Sequence, residues 1–321
     1  MNTSSYIKLY TNMLLIRNTE EKIAMKYSEN KMRCPTHLCS GQEAVSAAIN
    51  LTVKKNDYAV GTHRSHGHYL GKGGNLNKMI AEIYGKKTGC SGGYGGSMHL
   101  IDQNVNFVGS TAIVGNTIPI GAGLALTSKI NKKKQITVIF LGDGSIEEGV
   151  FYETVNFCAV KKLPVLFICE NNFYSVYSSL KPRQPKDRKI YKMVQAMGIE
   201  SFYENGNDAI KCFKMLFKKI NEIRINPKPI FIEFTTYRWR EHCGPNFDNN
   251  IGYRTEQEFI KWKKKDPILN LKKFIINNKI LNKNELLKIE KKIDTKINNA
   301  FDFAEKSPFP EYSDLKNKVY A

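Results

Sequence analysis

The stretch from Ile136 to Asn172 constrains this chain more than any other. It begins with an apolar run, ITVIFL (136–141), and turns at Gly142-Asp143-Gly144. About twenty residues later it continues, after Pro164, into a second apolar run, VLFIC (165–169), which ends near Asn171-Asn172. Short runs of β-branched and aromatic residues bounded by turn residues predict buried strands. Ser145 with Glu148 three residues on reads as a capping box, and the helix it would open runs to about Lys162. Strand, helix and strand in this order make a right-handed crossover between parallel strands. Asp143 and the Asn pair then share the carboxyl edge of one sheet, where open α/β sheets bind ligands. The expected fold class is α/β, a mostly parallel sheet with helices on both faces.

The remaining patterns fit one domain over 1–321, with 255–321 as a peripheral helical extension and tail. Residues 5–30 read as a helix, with Leu9, Met13, Ile16 and Ile23 recurring at helical spacing, and 41–53 as another. The segment 85–99 is glycine-rich and closes on Met98 and His99. Residues 117–130 predict a helix lined with small residues. Its GAGLAL superficially resembles a dinucleotide fingerprint, but the third glycine and a good preceding strand are missing. Another strand is expected at Pro229–Tyr237, Lys-rich amphipathic helices at 255–306, and an extended tail over the last fourteen residues.

Composition narrows the functions available. With 41% hydrophobic residues the chain can fill a core, so disorder is not its main state. No run approaches the ~18 apolar residues of a membrane span, and the first residues lack a secretion-signal pattern. Seven cysteines without a C-x-x-C pair fit a reduced, cytoplasmic chain. The formal charge of +19 could serve nucleic acid, a membrane surface or an acidic partner. However, the lysines lie in short pairs and triplets, as at 132–134 and 263–265, with no aromatic-interleaved basic motif, so a solvated surface is the simpler reading.

At the sheet edge, the Asp143 carboxylate, the Asn172 amide oxygen and a backbone carbonyl just past the Asn pair can face one hard cation. Mg²⁺ prefers such oxygen ligands and often shares them with phosphate. Gly142 and Gly144 let a diphosphate approach the backbone, and the following helix would aim its free N–H groups at it. Either motif alone reads as ordinary turn residues. Together, with 26 residues between Gly144 and Asn171, they favour a site. The histidine run H-R-S-H-G-H (63–68) is a poor zinc site, because it contains an arginine and has no adjacent Cys or carboxylate.

That spacing resembles the GDG…NN signature of thiamine-diphosphate enzymes. The whole chain resembles the alpha subunit of the thiamine-dependent first component of 2-oxo-acid dehydrogenase complexes, the pyruvate and acetoin dehydrogenase type. The likeness is carried by HLCSGQEAV (37–45), THRSHGH (62–68), GGSMH (95–99), IVGNTIPIGAGLA (113–125), GDGSIEEGVFYETVNFCAV (142–160), KLPVLFICENNFY (162–174), TYRWREHCGP (236–245) and the closing VYA (319–321).

The resemblance implies thiamine diphosphate and Mg²⁺ as cofactors. Asp143, the Asn172 side chain and the Tyr174 carbonyl would hold the metal. Gly142, Gly144 and Ser145 would lie against the diphosphate, and Arg64 would pair with it. His63 stands where many pyruvate-type members have Tyr, which weakens its phosphate contact. Ile113 and Val114 would pack behind the thiazolium, while His66 and His242 would face the reacting carbon. His37, His68 and His99 are read as structural, as is Glu43 in a helix.

The resemblance further implies that a carbon–carbon bond next to a carbonyl is cleaved and the two-carbon fragment passed to a lipoyl group on an acyltransferase partner. The Glu that activates the cofactor would come from a beta subunit in an α2β2 assembly. Glu241-His242-Cys243 replaces the Gly-His-Ser of pyruvate-type members, so their regulatory phosphoserine does not carry over to Cys243. The loop before Tyr253-Arg254 is also longer. A thiamine-dependent transferase or lyase acting on another ketone or a modified sugar is the alternative; a basic nucleic-acid-binding module is the reading from another class.

Overall fold

A computed structural model describes residues 1–32 and 34–316. Its centre is a six-stranded sheet. In chain order the strands are β1 (Tyr58–Gly61), β2 (Phe107–Ser110), β3 (Thr137–Gly142), β4 (Val165–Asn171), then, after a two-stranded hairpin of β5 (Tyr174–Ser175) and β6 (Ser178–Ser179), β7 (Glu200–Asn205) and β8 (Ile230–Thr235). Their spatial order is β2-β1-β3-β4-β8-β7 and every pairing is parallel. Both central strands of the predicted crossover are present. β4 is buried at every position, as a strand covered on both faces must be.

Helices cover both faces. On one side Thr3–Lys26, Glu43–Thr52, Ala209–Ile225 and Lys283–Lys306 share the larger core with Val138, Phe140, Leu166 and Ile168 of the sheet. On the other, Thr117–Ile130, Gly149–Lys161 and Ile190–Ala196 pack on Ile139, Leu141, Val165 and Phe167. Alternate residues of one strand feed opposite cores, the period-two rule of a strand. The expected helix at 117–130 has those bounds, while the helices expected at 5–30 and 41–53 are shorter at one or both ends.

Two expectations change. Ser145 does not cap the crossover helix. Asp143–Glu147 forms a 3-10 turn, Glu148 is extended (φ −79°, ψ 135°), and the helix begins at Gly149 without a side-chain cap. An extended residue cannot continue a helix, so the helix N–H groups start three residues later than the motif suggested. The end of the chain also differs: Tyr312–Lys316 is helical rather than extended, and the closing VYA lies outside the described residues. No helix among the described residues is long and apolar enough to cross a membrane.

The chain order of the strands locates the site. From β1 the chain moves outward to β2, then returns past β1 to β3 and continues to β4 on the other side. The order therefore reverses between β1 and β3. A crevice opens at the carboxyl ends of strands at such a switch point. Thr62-His63-Arg64 follows β1 and Asp143-Gly144-Ser145 follows β3, so both segments meet at that crevice.

Candidate active site

A cavity of about 250 Å³ occupies the crevice. His63 and Arg64 line it from the end of β1, and Gly142 to Ser145 from the end of β3. Asn172 and Tyr174 line it beyond β4, and Val114 and His242 reach it from separate loops. Ten of the twelve residues expected at the site thus meet at one cavity, twelve less Ile113 and His66. Ile113 does not line it and is 64% exposed.

His66 is a correction. Its ring is fully buried, with Nδ1 3.1 Å from Glu20 Oε1 and Nε2 2.9 Å from Ser97 Oγ. The helix His66–Gly71 begins at this residue and turns it away from the strand end that presents His63 and Arg64. With both ring nitrogens engaged, His66 cannot face a reacting carbon. Instead it braces the wall: Glu20 Oε1 accepts from the Cys39 N–H at 2.8 Å, and Ser97 Oγ accepts from the His37 N–H at 3.4 Å.

His37, read as structural, lines the cavity. Its ring lies 4.9 Å from His63 and 5.0 Å from His242, edge to face, and its buried Nδ1 has no hydrogen-bond partner. Gln42 is a second wall residue the motif reading left unassigned; its Oε1 lies 3.5 Å from Asn172 Nδ2. Both sit in the HLCSGQEA stretch, so the signal was present but not resolved to these positions. His68 and Glu43 are held elsewhere. His68 Nε2 is 2.8 Å from Glu170 and its ring stacks on Phe140, while Glu43 pairs with buried Arg17.

Electrostatics separate the cavity from an ordinary polar cleft. Arg64 is buried, and its guanidinium donates to Leu38 O at 2.5 Å and His242 O at 3.2 Å. No carboxylate forms an ion pair with it among the described residues. Burial, reinforced by Arg238, lowers its pKa to about 10, which still leaves a full charge near pH 7. A buried cation without a counter-ion favours an anion beside it.

Burial, with Arg64 next, also lowers the pKa of His37 and His242 to about 3 and of His63 to about 2. All three rings are neutral at pH 7. An arginine only donates, so His242 Nδ1, 3.4 Å from Arg64 Nη2, accepts and the ring proton lies on Nε2. The three imidazoles bring nitrogens within 4.8 Å of one another, a metal-like cluster, but Arg64 beside them makes the place hostile to a cation.

Asp143, Asn172 and Tyr174 bring oxygen donors to the same cavity. Asn172 Oδ1 accepts from the Tyr174 N–H at 3.1 Å, which sets the amide's orientation. Burial raises the Asp143 carboxyl above its usual range, and Arg183 opposes that shift through a 2.5 Å contact between its Nη2 and Oδ2. A Cβ added at Gly142 would meet nothing within 4 Å, so backbone approach there is open. A carboxylate, an amide oxygen and a nearby carbonyl are the hard donors Mg²⁺ takes, and with Arg64 they fit a metal-bound diphosphate.

The fold and this cavity define an α/β protein with a polar crevice at its topological switch point. Comparison with known proteins gives the family. Residues 11–313 match the model described as "Dehydrogenase E1 component". The chain is 36% identical over 315 residues to the pyruvate dehydrogenase E1 component subunit alpha of Rickettsia bellii, covering 98% of this chain and 95% of that one. It is 37% identical over 321 residues to subunit alpha-3, chloroplastic, of Arabidopsis thaliana (98% and 74%), and 35% identical over 320 to the alpha subunit of Porphyra purpurea (98% and 92%). The chain belongs to the dehydrogenase E1 component family.

Proposed function

We propose that this chain is the alpha subunit of a pyruvate-type dehydrogenase, one diphosphate-binding domain that holds thiamine diphosphate through Mg²⁺ and works with a beta subunit. The observation that carries this reading is the cavity at the switch point, where an uncompensated Arg64 charge accompanies the oxygen donors Asp143, Asn172 and Tyr174. Bound thiamine diphosphate supplies a carbon nucleophile and an electron sink for breaking the bond next to a keto group.

The chain's own residues bind and orient. Arg64, fixed by two backbone carbonyls, offers its remaining N–H groups to a diphosphate oxygen without first giving up an ion pair. Asp143, Asn172 and the Tyr174 carbonyl hold the cation. His242 carries its proton on Nε2 and donates it as a neutral hydrogen-bond donor toward a substrate oxygen, because the Arg64 contact leaves Nδ1 as the acceptor.

Among the described residues no free acid completes the site from within. Asp143 is engaged by Arg183, and Glu170, the other carboxylate lining the cavity, is held by His68. This supports a carboxylic acid supplied by a second chain, in an α2β2 enzyme that passes its product to a lipoyl acyltransferase. The names of the relatives favour pyruvate over acetoin or a sugar. Seven free cysteines fit a reducing compartment such as the cytoplasm.

The test is co-expression with a beta subunit and assay of pyruvate, 2-oxobutyrate, 2-oxoglutarate and acetoin with an artificial electron acceptor. Pyruvate is expected to give the highest kcat/KM, and the chain alone none. Robust turnover by the chain alone, or preference for a non-keto-acid substrate, contradicts the reading.

A further inference from the structure

Arg183 is not an evident part of the chemistry above, yet it reaches into it. It ends the short helix Leu180–Arg183 that follows the β5–β6 hairpin. Its guanidinium is used on three sides. Nη2 meets Asp143 Oδ2 at 2.5 Å, Nη1 meets Glu147 Oε1 at 2.5 Å, and Nε donates to Ser178 O and Ser179 O at 3.1 Å each. The Asp143 side chain is 2% exposed and that of Arg183 11%. A buried carboxylate needs a partner cation, and here the arginine provides it.

We infer that Arg183 is a built-in stand-in for the metal at Asp143, and that loading of the site is an exchange of one cation for another. The inference rests on the proposed role of Asp143 as a metal ligand. A divalent ion at Asp143 would lie beside the guanidinium that now neutralises the same carboxylate. Two cations on one buried carboxylate repel, so Arg183 must withdraw as the ion arrives. Glu147 can retain it, because the Nη1 contact does not involve Asp143.

The exchange is coupled to the chain around it. Arg183 ties Asp143 to the carbonyls of β6, and β6 pairs with β5, which begins at Tyr174, whose own carbonyl is an expected metal ligand. Ser175 of β5 lies against Gly144: a Cβ there would stand 2.8 Å from Ser175 Oγ and 3.9 Å from Arg183 Nη1. The hairpin and the GDG turn are in contact, and Arg183 joins them. The segment 173–188 should therefore be held by Arg183 when the site is empty and by the metal when it is loaded.

The sign of a mutant's effect decides the matter. The α–β complex would be prepared as wild type, R183Q and R183K, and Mg²⁺ titrated at fixed thiamine diphosphate, with binding followed by calorimetry. Hydrogen exchange over residues 173–188 would be measured with and without Mg²⁺ and cofactor. Removal of a competitor lowers the Mg²⁺ concentration for half-loading in R183Q, by about tenfold, with R183K between. Exchange over the segment should rise in empty R183Q and return to the wild-type level on loading. A higher half-loading concentration in R183Q would show that Arg183 assists the diphosphate, and an unchanged one that it does not compete; either overturns the exchange. Segment exchange that stays raised after loading identifies a purely structural role and overturns it too. Asp143→Ala separates this from the site assignment: unaltered Mg²⁺ dependence there removes the assignment itself, whatever Arg183 does.

Discussion

At the residue scale, the histidines show what a motif does and does not disclose. Asp143 and Asn172 were legible because the spacing between two strand ends fixes where they go, and Arg64 only through the family resemblance of THRSHGH. His66 was not. Two positions after Arg64, it already belongs to a helix, and helical rotation delivers it to Glu20 and Ser97 rather than to the cavity. His37 erred the other way, since its meeting with His63 and His242 joins three distant segments.

The neutral state of these rings has a pH signature. Their pKa values lie below the ordinary 6.5, so the stability of the neutral form is fully present above pH 6.5. It is lost as pH falls toward about 3 for His37 and His242 and about 2 for His63. At pH 5 each ring costs up to about 2 kcal/mol. His63→Phe should thus gain stability relative to wild type between pH 7 and pH 5 in denaturant unfolding. A constant difference across that range would show that the ring is free to protonate.

At the element scale, the crossover unit carries both fold and site. Its two strands were readable from apolar runs, and the parallel order followed from the crossover rule. The start of the helix was not readable, because Ser145 and Glu148 have capping identities but the backbone at Glu148 is extended. Ser145→Ala tests this directly. A lost cap would cost about 1 kcal/mol, whereas the observed turn predicts a stability change within about 0.5 kcal/mol and a weaker cofactor affinity, since Ser145 lines the cavity.

Ile168→Ala in fully buried β4 should behave oppositely. It would cost about 2–5 kcal/mol in urea unfolding, with cofactor affinity changed only as far as the strand end carrying Asn172 shifts. β1, β2 and β7 had no clear sequence signal: the first two are four-residue strands, and β7 is an edge strand of mixed burial.

At the scale of the whole molecule, the topology gathers the candidate site residues of a lysine-rich chain at one crevice. The reversal between β1 and β3 could not be read from a single crossover unit, because it depends on the placement of β2. The helices after 255 were expected to be a cover. They are outside the sheet, but Leu286, Ile293, Ile297 and Phe301 belong to the larger core with residues of Thr3–Lys26 and Leu76–Ile83. Truncation before Asn282 should therefore abolish cooperative unfolding rather than release a detachable tail; a sharp, near-wild-type transition would contradict this. The positive charge does not require an anionic macromolecule, since the one buried cation with a cavity to serve is Arg64 among the site residues described.

The central claim is that Asp143 and Asn172 hold a metal-bound thiamine diphosphate at the switch point. Its most direct test is calorimetric titration of thiamine diphosphate into the α–β complex, with and without Mg²⁺, for wild type, Asp143→Ala and Asn172→Ala. Binding by wild type only with Mg²⁺, and at least about a 100-fold loss of affinity in each variant, is the predicted result. Unchanged affinity in both variants would contradict it.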